Sequence, residues 1–279
     1  MNPLLSLLPT SKKKGLKNAR LTQQFAYISS QTGDQPISSH HSRFMCRYGY
    51  GRSAESTSMG ESGQDFAAVR IHKSVCCFVL CDGVGLSYRG DFAARYLGSS
   101  LLDWMEQRQD LSADQLREYL ERLAGAATKE LDRQPLDHES GLMRSVLEDK
   151  RRQGSQSMYI CGKIELPKRG TRGRLRLAWQ GDSRLRLWND AEEISELFNH
   201  TFSTAERWST SRGPIGGKPH WYERSIPADM PMRLQVYTDG LSDLDPIREP
   251  VPDEQIQVLL DASHTGGLDD DAAFIELQW

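Results

Sequence analysis

Acidic residues stand at the ends of four segments that have the composition of buried strands. Asp65 comes directly before FAAVRI, whereas Asp82 and Asp239 directly follow VCCFVLC and LQVYT. Three consecutive aspartates at 269–271 come directly before AAFIEL. If these strands share one sandwich, their carboxylates can converge at one edge, and converging carboxylates repel each other unless a cation lies between them. Oxygen ligands of this kind suit hard divalent ions such as Mg²⁺ or Mn²⁺.

Glycine follows two of these aspartates, in the pairs Asp82-Gly83 and Asp239-Gly240. A glycine lets the backbone turn sharply and brings a carbonyl oxygen close to a metal. Asp-Gly is also a common turn dipeptide, so one pair alone would indicate a turn. Two pairs after buried strands, together with Asp65 and the triple aspartate, favour a metal site.

The elements that must position these aspartates come as runs of strands separated by runs of helices. Strands are predicted at 66–71, 75–81, 158–164, 174–179, 184–188, 232–238 and 272–278, and helices at 91–108, 112–131, 140–150 and 252–260. The seven consecutive apolar residues at 75–81 indicate a strand buried on both faces. Because helices do not alternate with single strands, the pattern favours antiparallel sheets with helices packed outside.

The segment Gln180-Gly181-Asp182-Ser183 lies between two alternating strands and has the composition of a turn. It predicts a hairpin that joins 174–179 to 184–188. The side chains of Asp182 and Ser183 would then bond to their own backbone, as such residues do in turns. The alternative, that they support a nearby functional site, is the less favoured interpretation.

Composition and charge exclude several classes of protein. The chain has 279 residues, with 35 basic and 38 acidic side chains and a formal net charge of −3. This charge excludes a polybasic nucleic-acid binder. With 38% hydrophobic and 26% charged residues, the chain has the composition of a globular protein. No segment approaches the roughly 18 apolar residues of a membrane-spanning helix.

The five cysteines form no CxxC pair and no Cys/His metal spacing. Three of them lie in the apolar run at 75–81, which predicts reduced core residues and a cytoplasmic location. Residues 1–40 are rich in Ser, Gln, Lys and Gly without a period, so we expect a loosely ordered tail or linker, followed by one domain at 41–279. A docking segment or a weak membrane-surface anchor is the alternative for the N-terminal part.

An ordered set of short motifs resembles the metal-dependent protein phosphatase 2C family, and most closely its bacterial members with a CQD-type first motif. The motifs are GQD (63–65), CDGVG (81–85), GSQS (154–157), GDSR (181–184), YTDGLSD (237–243) and DDDAAF (269–274). The resemblance covers about residues 45–279, and GDSR and TDGLSD are its most specific parts. It implies an α+β fold in which two antiparallel β-sheets form a sandwich flanked by helices, a four-layer αββα arrangement.

The resemblance also implies a site with two Mn²⁺ or Mg²⁺ ions at one edge of the sandwich. Asp82 would bridge both ions, and Gly83 would contribute its carbonyl oxygen. Asp239 and Asp270 would bind one ion from the other side, and Asp65 would bind directly or through water. Asp82 and Asp239 are therefore the expected catalytic residues.

The implied activity is hydrolysis of phosphoserine or phosphothreonine in proteins, by attack of a metal-bridging water. The implied partners are a phosphorylated protein substrate and a cognate Ser/Thr kinase or its targets, with no nucleic acid and no membrane span. Asp271 occupies the place of the asparagine that usually follows the last ligand, and a one-residue slip between Asp270 and Asp271 is open.

Three positions depart from the family pattern. The stretch before GQD has no arginine to hold the substrate phosphate, and Arg52 is the nearest candidate. Residues 151–153 lack the aspartate that holds a third metal, and Val84 replaces a histidine that could protonate the leaving group. The alternatives are therefore a weak or inactive phosphatase-like binding or regulatory module, and a hydrolase of small phosphorylated metabolites.

Overall fold

Two antiparallel β-sheets, packed face to face, form the centre of the molecule. The computed structural model describes residues 24–135, 141–198, 201–227, 230–262 and 268–279. Helices cover the outer faces of both sheets. The predicted α+β sandwich with helices outside is thus confirmed.

The first sheet has eight strands. They are β1 (Gln24–Ile28), β4 (Phe66–His72), β5 (Val75–Gly83), β6 (Gln156–Glu165), β7 (Gly173–Gln180), β10 (Arg207–Ser209), β11 (Gly213–Ile215) and β12 (His220–Ile226). Their order begins β1-β4-β5-β6; β6 then pairs with both β7 and β10, β7 pairs with β12, and β10 pairs with β11.

The second sheet has six strands. They are β2 (Gln35–His41), β3 (Met45–Gly51), β8 (Arg184–Asn189), β9 (Glu192–Glu193), β13 (Met232–Tyr237) and β14 (Ala272–Gln278). Their order is β2-β3-β14-β13-β8-β9. The strand pairs in both sheets are antiparallel.

Five α-helices and two short 3-10 helices complete the described structure. The α-helices are α1 (Ala54–Met59), α2 (Gly90–Gln107), α3 (Ala113–Asp132), α4 (Gly141–Gln153) and α5 (Asp253–Leu260), and the 3-10 helices are Ser195–Phe198 and Asp239–Leu244. The Ser112 side chain accepts a hydrogen bond from the Gln115 backbone N–H, which confirms the predicted N-cap of α3.

Strand β5 shows why its run of apolar residues is continuous. Cys76, Phe78 and Leu80 point into the core between the two sheets. The alternate residues Val79 and Cys81 point into a second core, which lies under α2 and α3. Because successive side chains of a strand point to opposite faces, a strand with a core on each side must be apolar at every position.

The outer face of the second sheet is covered by α5 and the 3-10 helix Asp239–Leu244, which share a third apolar core with β13 and β14. All five cysteines are buried and free, as predicted for reduced core residues. Within the described ranges, none of the helices combines the length and the apolar character needed to cross a membrane.

Two predictions about organisation are wrong. The tail predicted at 1–40 contains two strands, because β1 and β2 are edge strands of the first and second sheets. Edge strands bury only some of their side chains, so Tyr27 is buried in the inter-sheet core while the residues on either side of it are exposed. Residues 1–23 lie outside the described residues.

The predicted hairpin between 174–179 and 184–188 does not exist. β7 belongs to the first sheet and β8 to the second, so the segment between them carries the chain from one sheet to the other. Gly181 has a φ of 119° in this crossing, a conformation that glycine adopts without steric cost. The alternation of both strands fits a sandwich as well as a hairpin, so periodicity could not distinguish the two.

Candidate metal centre

Strand register places Asp65 beside Asp82 in the first sheet. β4 and β5 are antiparallel neighbours, with Phe66 opposite Cys81. One step further along this register, Asp65 lies opposite Asp82. The two aspartates therefore lie side by side at the same edge of the sheet, as the sequence predicts.

Strand register in the second sheet brings a further group of aspartates to the same end. Tyr237 of β13 pairs with Phe274 of β14 on one side and with Arg184 of β8 on the other. Asp239 is two residues beyond these pairs. It therefore has Asp182, which precedes β8, on one side, and the start of β14, which follows Asp270 and Asp271, on the other. Together with Asp65 and Asp82, these residues form a group of six aspartates where β4, β5, β8, β13 and β14 begin or end.

A hydroxyl group joins the two sheets at this edge. Thr238 Oγ1 donates a hydrogen bond of 2.6 Å to Asp65 Oδ2, and the same hydroxyl accepts a bond of 2.9 Å from the Ala273 backbone N–H. Both Asp65 and Thr238 are buried. Because the Thr238 oxygen accepts the Ala273 N–H, the hydroxyl proton of Thr238 is directed at Asp65. This hydrogen bond fixes the orientation of the Asp65 carboxylate.

Burial, and after it mutual repulsion, dominates the electrostatics of this cluster. Burial raises the pKa of Asp65 well above its ordinary value, and the nearby Asp82 carboxylate raises it further. Burial also raises the pKa of Asp82 well above its ordinary value, with Asp239 and Asp270 as the next causes. In the described part of the chain, no Lys or Arg is among the largest causes of these two pKa shifts. A divalent cation would supply the missing positive charge.

The structure distinguishes the two candidates at the start of β14. Asp271 is buried, and its two carboxylate oxygens accept backbone hydrogen bonds from Ser53 (2.7 Å) and Gln64 (2.5 Å). Asp270 is exposed and accepts one hydrogen bond from the Asp271 N–H, which leaves one of its carboxylate oxygens free for another ligand. The arrangement favours Asp270 as the ligand and Asp271 as a residue that holds the Gln64-Asp65 loop in place.

The two glycines allow close approach of the backbone rather than a sharp turn. Neither Gly83 nor Gly240 has a positive φ. A Cβ atom on Gly83 would lie 2.6 Å from the carbonyl oxygens of Gln64 and Gly90. A Cβ atom on Gly240 would overlap the carbonyl oxygen of Asp271. The two glycines therefore let neighbouring chain segments converge closely around the acidic cluster.

Asp182 belongs to this cluster, although the sequence favoured a purely local role in a turn. Its Oδ1 atom is buried and has no hydrogen-bond partner among the described residues. Burial raises the pKa of its carboxyl group, and Asp239 raises it further. The GDSR motif was the signal for this role, but the assumption of a hairpin hid it. Thr238 was missed as well, because a single threonine at the end of a strand carries no distinctive spacing.

The acidic cluster fits a hard divalent ion, since its side chains are carboxylates. One of their oxygen atoms, Asp182 Oδ1, is buried and has no hydrogen-bond partner among the described residues. Within the described ranges, no group of three or more His, Cys, Asp or Glu side chains already has an arrangement that could hold a metal. The aspartates of the described residues therefore share one edge of the sandwich without being arranged around an ion.

The arginine expected near the first motif is already engaged. Arg52 Nε lies 3.2 Å from Asp34 Oδ1, and Arg52 Nη1 donates to the Glu61 carbonyl oxygen at 3.4 Å. Arg52 is thus paired with an acidic residue, and the structure gives no support for it as a free phosphate-binding group.

Comparison with solved structures identifies the fold. RsbX in complex with magnesium has a TM-score of 0.54 at 15% identity, covering 87% of this chain and 98% of that chain. A bacterial serine phosphatase that carries a point mutation has a TM-score of 0.51 at 16% identity, with 86% and 100% coverage. The serine/threonine phosphatase Stp1 from Staphylococcus aureus has a TM-score of 0.50 at 14% identity, with 100% and 99% coverage.

The amino-acid sequence matches no protein-family model and no curated protein. At these low identities the structural similarity establishes the fold alone, and it agrees with the family that the motifs predict. The chain therefore has the fold of the bacterial phosphatase 2C-type serine/threonine phosphatases.

Proposed function

We propose that this chain is a divalent-metal-dependent phosphatase that hydrolyses phosphoserine and phosphothreonine in proteins. The observation that carries the proposal is the convergence of Asp65, Asp82, Asp239 and Asp270 from two sheets at one edge of a phosphatase 2C-type fold. The structural neighbours support the phosphatase class, because two of them are described as serine or serine/threonine phosphatases.

We further propose that Asp65, Asp82, the Gly83 carbonyl oxygen, Asp239 and Asp270 hold Mn²⁺ or Mg²⁺, with two ions expected. The magnesium complex of RsbX supports this choice of metal. Divalent ions bound there would activate a water for attack on phosphorus and neutralise the charge of the phosphoryl oxygens. Asp182 is an additional candidate, since it presents a buried, unpartnered oxygen atom to the same cluster.

The chain's own residues position these groups and limit the chemistry. Thr238 orients Asp65, and Asp271 fixes the loop that carries it. In hydrolysis a bond forms between the water oxygen and phosphorus, the bond between phosphorus and the serine or threonine oxygen breaks, and that oxygen takes up a proton. Because Val84 has no titratable side chain, this proton would come from water or from another residue.

Two further expectations remain part of the proposal. We propose that the domain includes β1 and β2, and so extends from residue 41 at least as far back as Gln24. We also propose a cytoplasmic protein whose partners are phosphoproteins and a Ser/Thr kinase or its targets, in keeping with five free, buried cysteines. A weak or inactive binding module remains the alternative, motivated by the engagement of Arg52 with Asp34.

Hydrolysis of a simple aryl phosphate, with and without added Mn²⁺ or Mg²⁺, tests the proposal. We expect metal-dependent turnover by the native chain and its loss in Asp82→Asn and Asp239→Asn. Asp110→Asn is the matched control, because Asp110 is exposed in the loop between α2 and α3. A native chain with no metal-dependent rate would instead support the binding module, and full activity in either cluster variant would remove that residue from the mechanism.

A further inference from the structure

A groove of about 410 Å³ opens beside the acidic cluster. We call it the basic groove, and its lining includes Val84, Lys150, Gln156, Met158 and Arg207. Met158 is the residue opposite Asp82 in the pairing of β5 with β6, and Val84 is two residues beyond Asp82. The basic groove therefore lies directly beside the candidate metal centre.

The lining of the basic groove carries positive charge. Its lining contains Lys150 and Arg207 but no Asp or Glu. Arg207 Nε donates to Gln156 Oε1 at 2.5 Å, and Arg207 Nη1 donates to the Thr204 carbonyl oxygen at 3.0 Å. These described partners are neutral, so they hold the guanidinium in place without cancelling its charge.

Lys150 differs from the other basic residues of α4. Arg144 and Arg152 form ion pairs with acidic residues of the same helix, and Arg151 lies 3.6 Å from Asp132. Lys150 is exposed and has no ion pair among the described residues. Its charge is therefore available to a ligand, and it comes from a different element than Arg207.

An apolar side chain stands at the groove as well. Leu86 is among its lining residues and is 89% exposed, the most exposed of the large apolar side chains described. A leucine in this position offers a contact to an extended peptide rather than to an isolated ion. The basic groove beside the acidic cluster is thus lined by two basic side chains, one from α4 and one from β10, and by an exposed leucine.

We propose that the basic groove binds acidic residues next to the phosphorylated side chain of a protein substrate, and so selects substrates with acidic flanks. This inference rests on the proposed phosphatase function and adds a substrate preference to it. Carboxylates would pair with Lys150 and with the guanidinium of Arg207, whose orientation Gln156 already holds. Since Gln156 accepts a backbone bond from Val84, the guanidinium is tied to the strand end that carries Asp82.

The test uses three phosphoserine peptides that differ only in having acidic, neutral or basic flanks, and the full chain as native protein, Lys150→Glu and Lys129→Glu. Lys129 is an exposed lysine of α3 that does not line the groove, so it controls for the change in net charge. We measure kcat/KM for each peptide with Mn²⁺, and kcat/KM for an aryl phosphate. Binding of the acidic peptide to chelator-treated protein is followed by fluorescence anisotropy at low and high salt.

We expect the native chain to prefer the acidic peptide, and Lys150→Glu to lower kcat/KM for that peptide roughly three- to tenfold. Lys150→Glu should gain activity on the basic peptide, keep its rate on the aryl phosphate and bind the acidic peptide more weakly. The native preference should shrink as salt rises, because the groove is exposed to solvent. Lys129→Glu should behave like the native chain.

The outcomes separate the inference from the function on which it rests. If the native chain hydrolyses the aryl phosphate but shows no preference among the peptides, the basic groove does not select acidic flanks. An equal effect of Lys129→Glu and Lys150→Glu would show that the preference depends on the net charge of the protein alone. That result would also overturn the inference. If no phosphate ester is hydrolysed under any metal condition, the proposed phosphatase function itself fails.

Discussion

Residues that would not themselves bind a metal organise the candidate metal centre. The Thr238 hydroxyl connects Asp65 in the first sheet to the Ala273 backbone in the second. Asp271 performs a similar task through its bonds to Ser53 and Gln64. Such partners of ligands commonly determine how tightly a metal is held, because they fix the direction of the ligand oxygen atoms.

Removal of the Thr238 hydroxyl tests this role. Thr238→Val keeps the shape of the side chain but leaves Asp65 without its hydrogen-bond donor, so we expect Mn²⁺ affinity to fall by about 10- to 100-fold. Thr238→Ser retains the hydroxyl and should stay close to the native affinity. Thermal-shift titration with Mn²⁺ measures both variants. Equal affinity in Thr238→Val and the native chain would show that the hydrogen bond does not orient a ligand.

The raised pKa of Asp65 has a consequence for stability in the absence of metal. Its folded-state pKa lies above the ordinary value of 3.8, so protonation favours the folded state. This contribution is fully present below the ordinary pKa and is lost as the pH rises through the folded-state pKa. We therefore expect the stability of chelator-treated native protein, relative to Asp65→Asn, to fall as the pH rises above the ordinary pKa, over the range from acidic to neutral pH.

Urea unfolding of the native chain and Asp65→Asn at several pH values, with chelator present, provides the measurement. Added Mn²⁺ should raise the free energy of unfolding of the native chain at the upper end of this range, since an ion that binds only the folded state stabilises it. A difference between the two proteins that stays constant with pH would mean that Asp65 keeps an ordinary pKa.

At the scale of elements, a buried arginine adds a polar connection between the start of helix α5 and the second sheet. Arg47 of β3 lies 2.7 Å from Asp253 at the start of α5 and 3.1 Å from Glu276 of β14, and it donates to the Val251 carbonyl oxygen at 2.7 Å. Arg47 is largely buried and the Glu276 side chain is fully buried. No local pattern indicated this connection, because its partners are more than 200 residues apart in the chain.

Replacement of Arg47 should therefore destabilise the protein strongly. In Arg47→Met, Glu276 would remain buried without its cation, which costs about 3–5 kcal/mol of the free energy of unfolding. Arg144→Met is the matched control, because its ion pair with Glu148 lies exposed on α4 and contributes roughly 0.5 kcal/mol or less. Urea unfolding compares the two variants. A small effect of Arg47→Met would show that α5 does not depend on this pair.

At the scale of the whole molecule, local patterns predicted the elements but not all of the connections between them. The continuous apolar run at 75–81 and the largely apolar segment at 272–278 both became central strands with an apolar core on each face. The assignment of β7 and β8 to different sheets could not be predicted, since alternation reveals which residues share a face and not which strand lies beside it. That assignment decides the position of Asp182.

The candidate site was predictable to a similar degree. Residues at strand ends converge when the strands share one sandwich, so Asp65, Asp82 and Asp239 followed from sequence position alone. The choice between Asp270 and Asp271 required the structure, because it depends on which carboxylate accepts the backbone hydrogen bonds of Ser53 and Gln64. The basic groove required it as well, since Lys150 and Arg207 are 57 positions apart in the chain and belong to different elements.

Calorimetric titration of the chelator-treated full chain with Mn²⁺ tests most directly whether the acidic cluster is a metal centre. We expect saturable binding of about two ions per chain, and loss of that binding in Asp82→Asn, whose side chain lies at the centre of the cluster. Asp110→Asn should bind like the native chain. Absence of saturable binding in the native chain, or an unchanged titration in Asp82→Asn, would contradict the account.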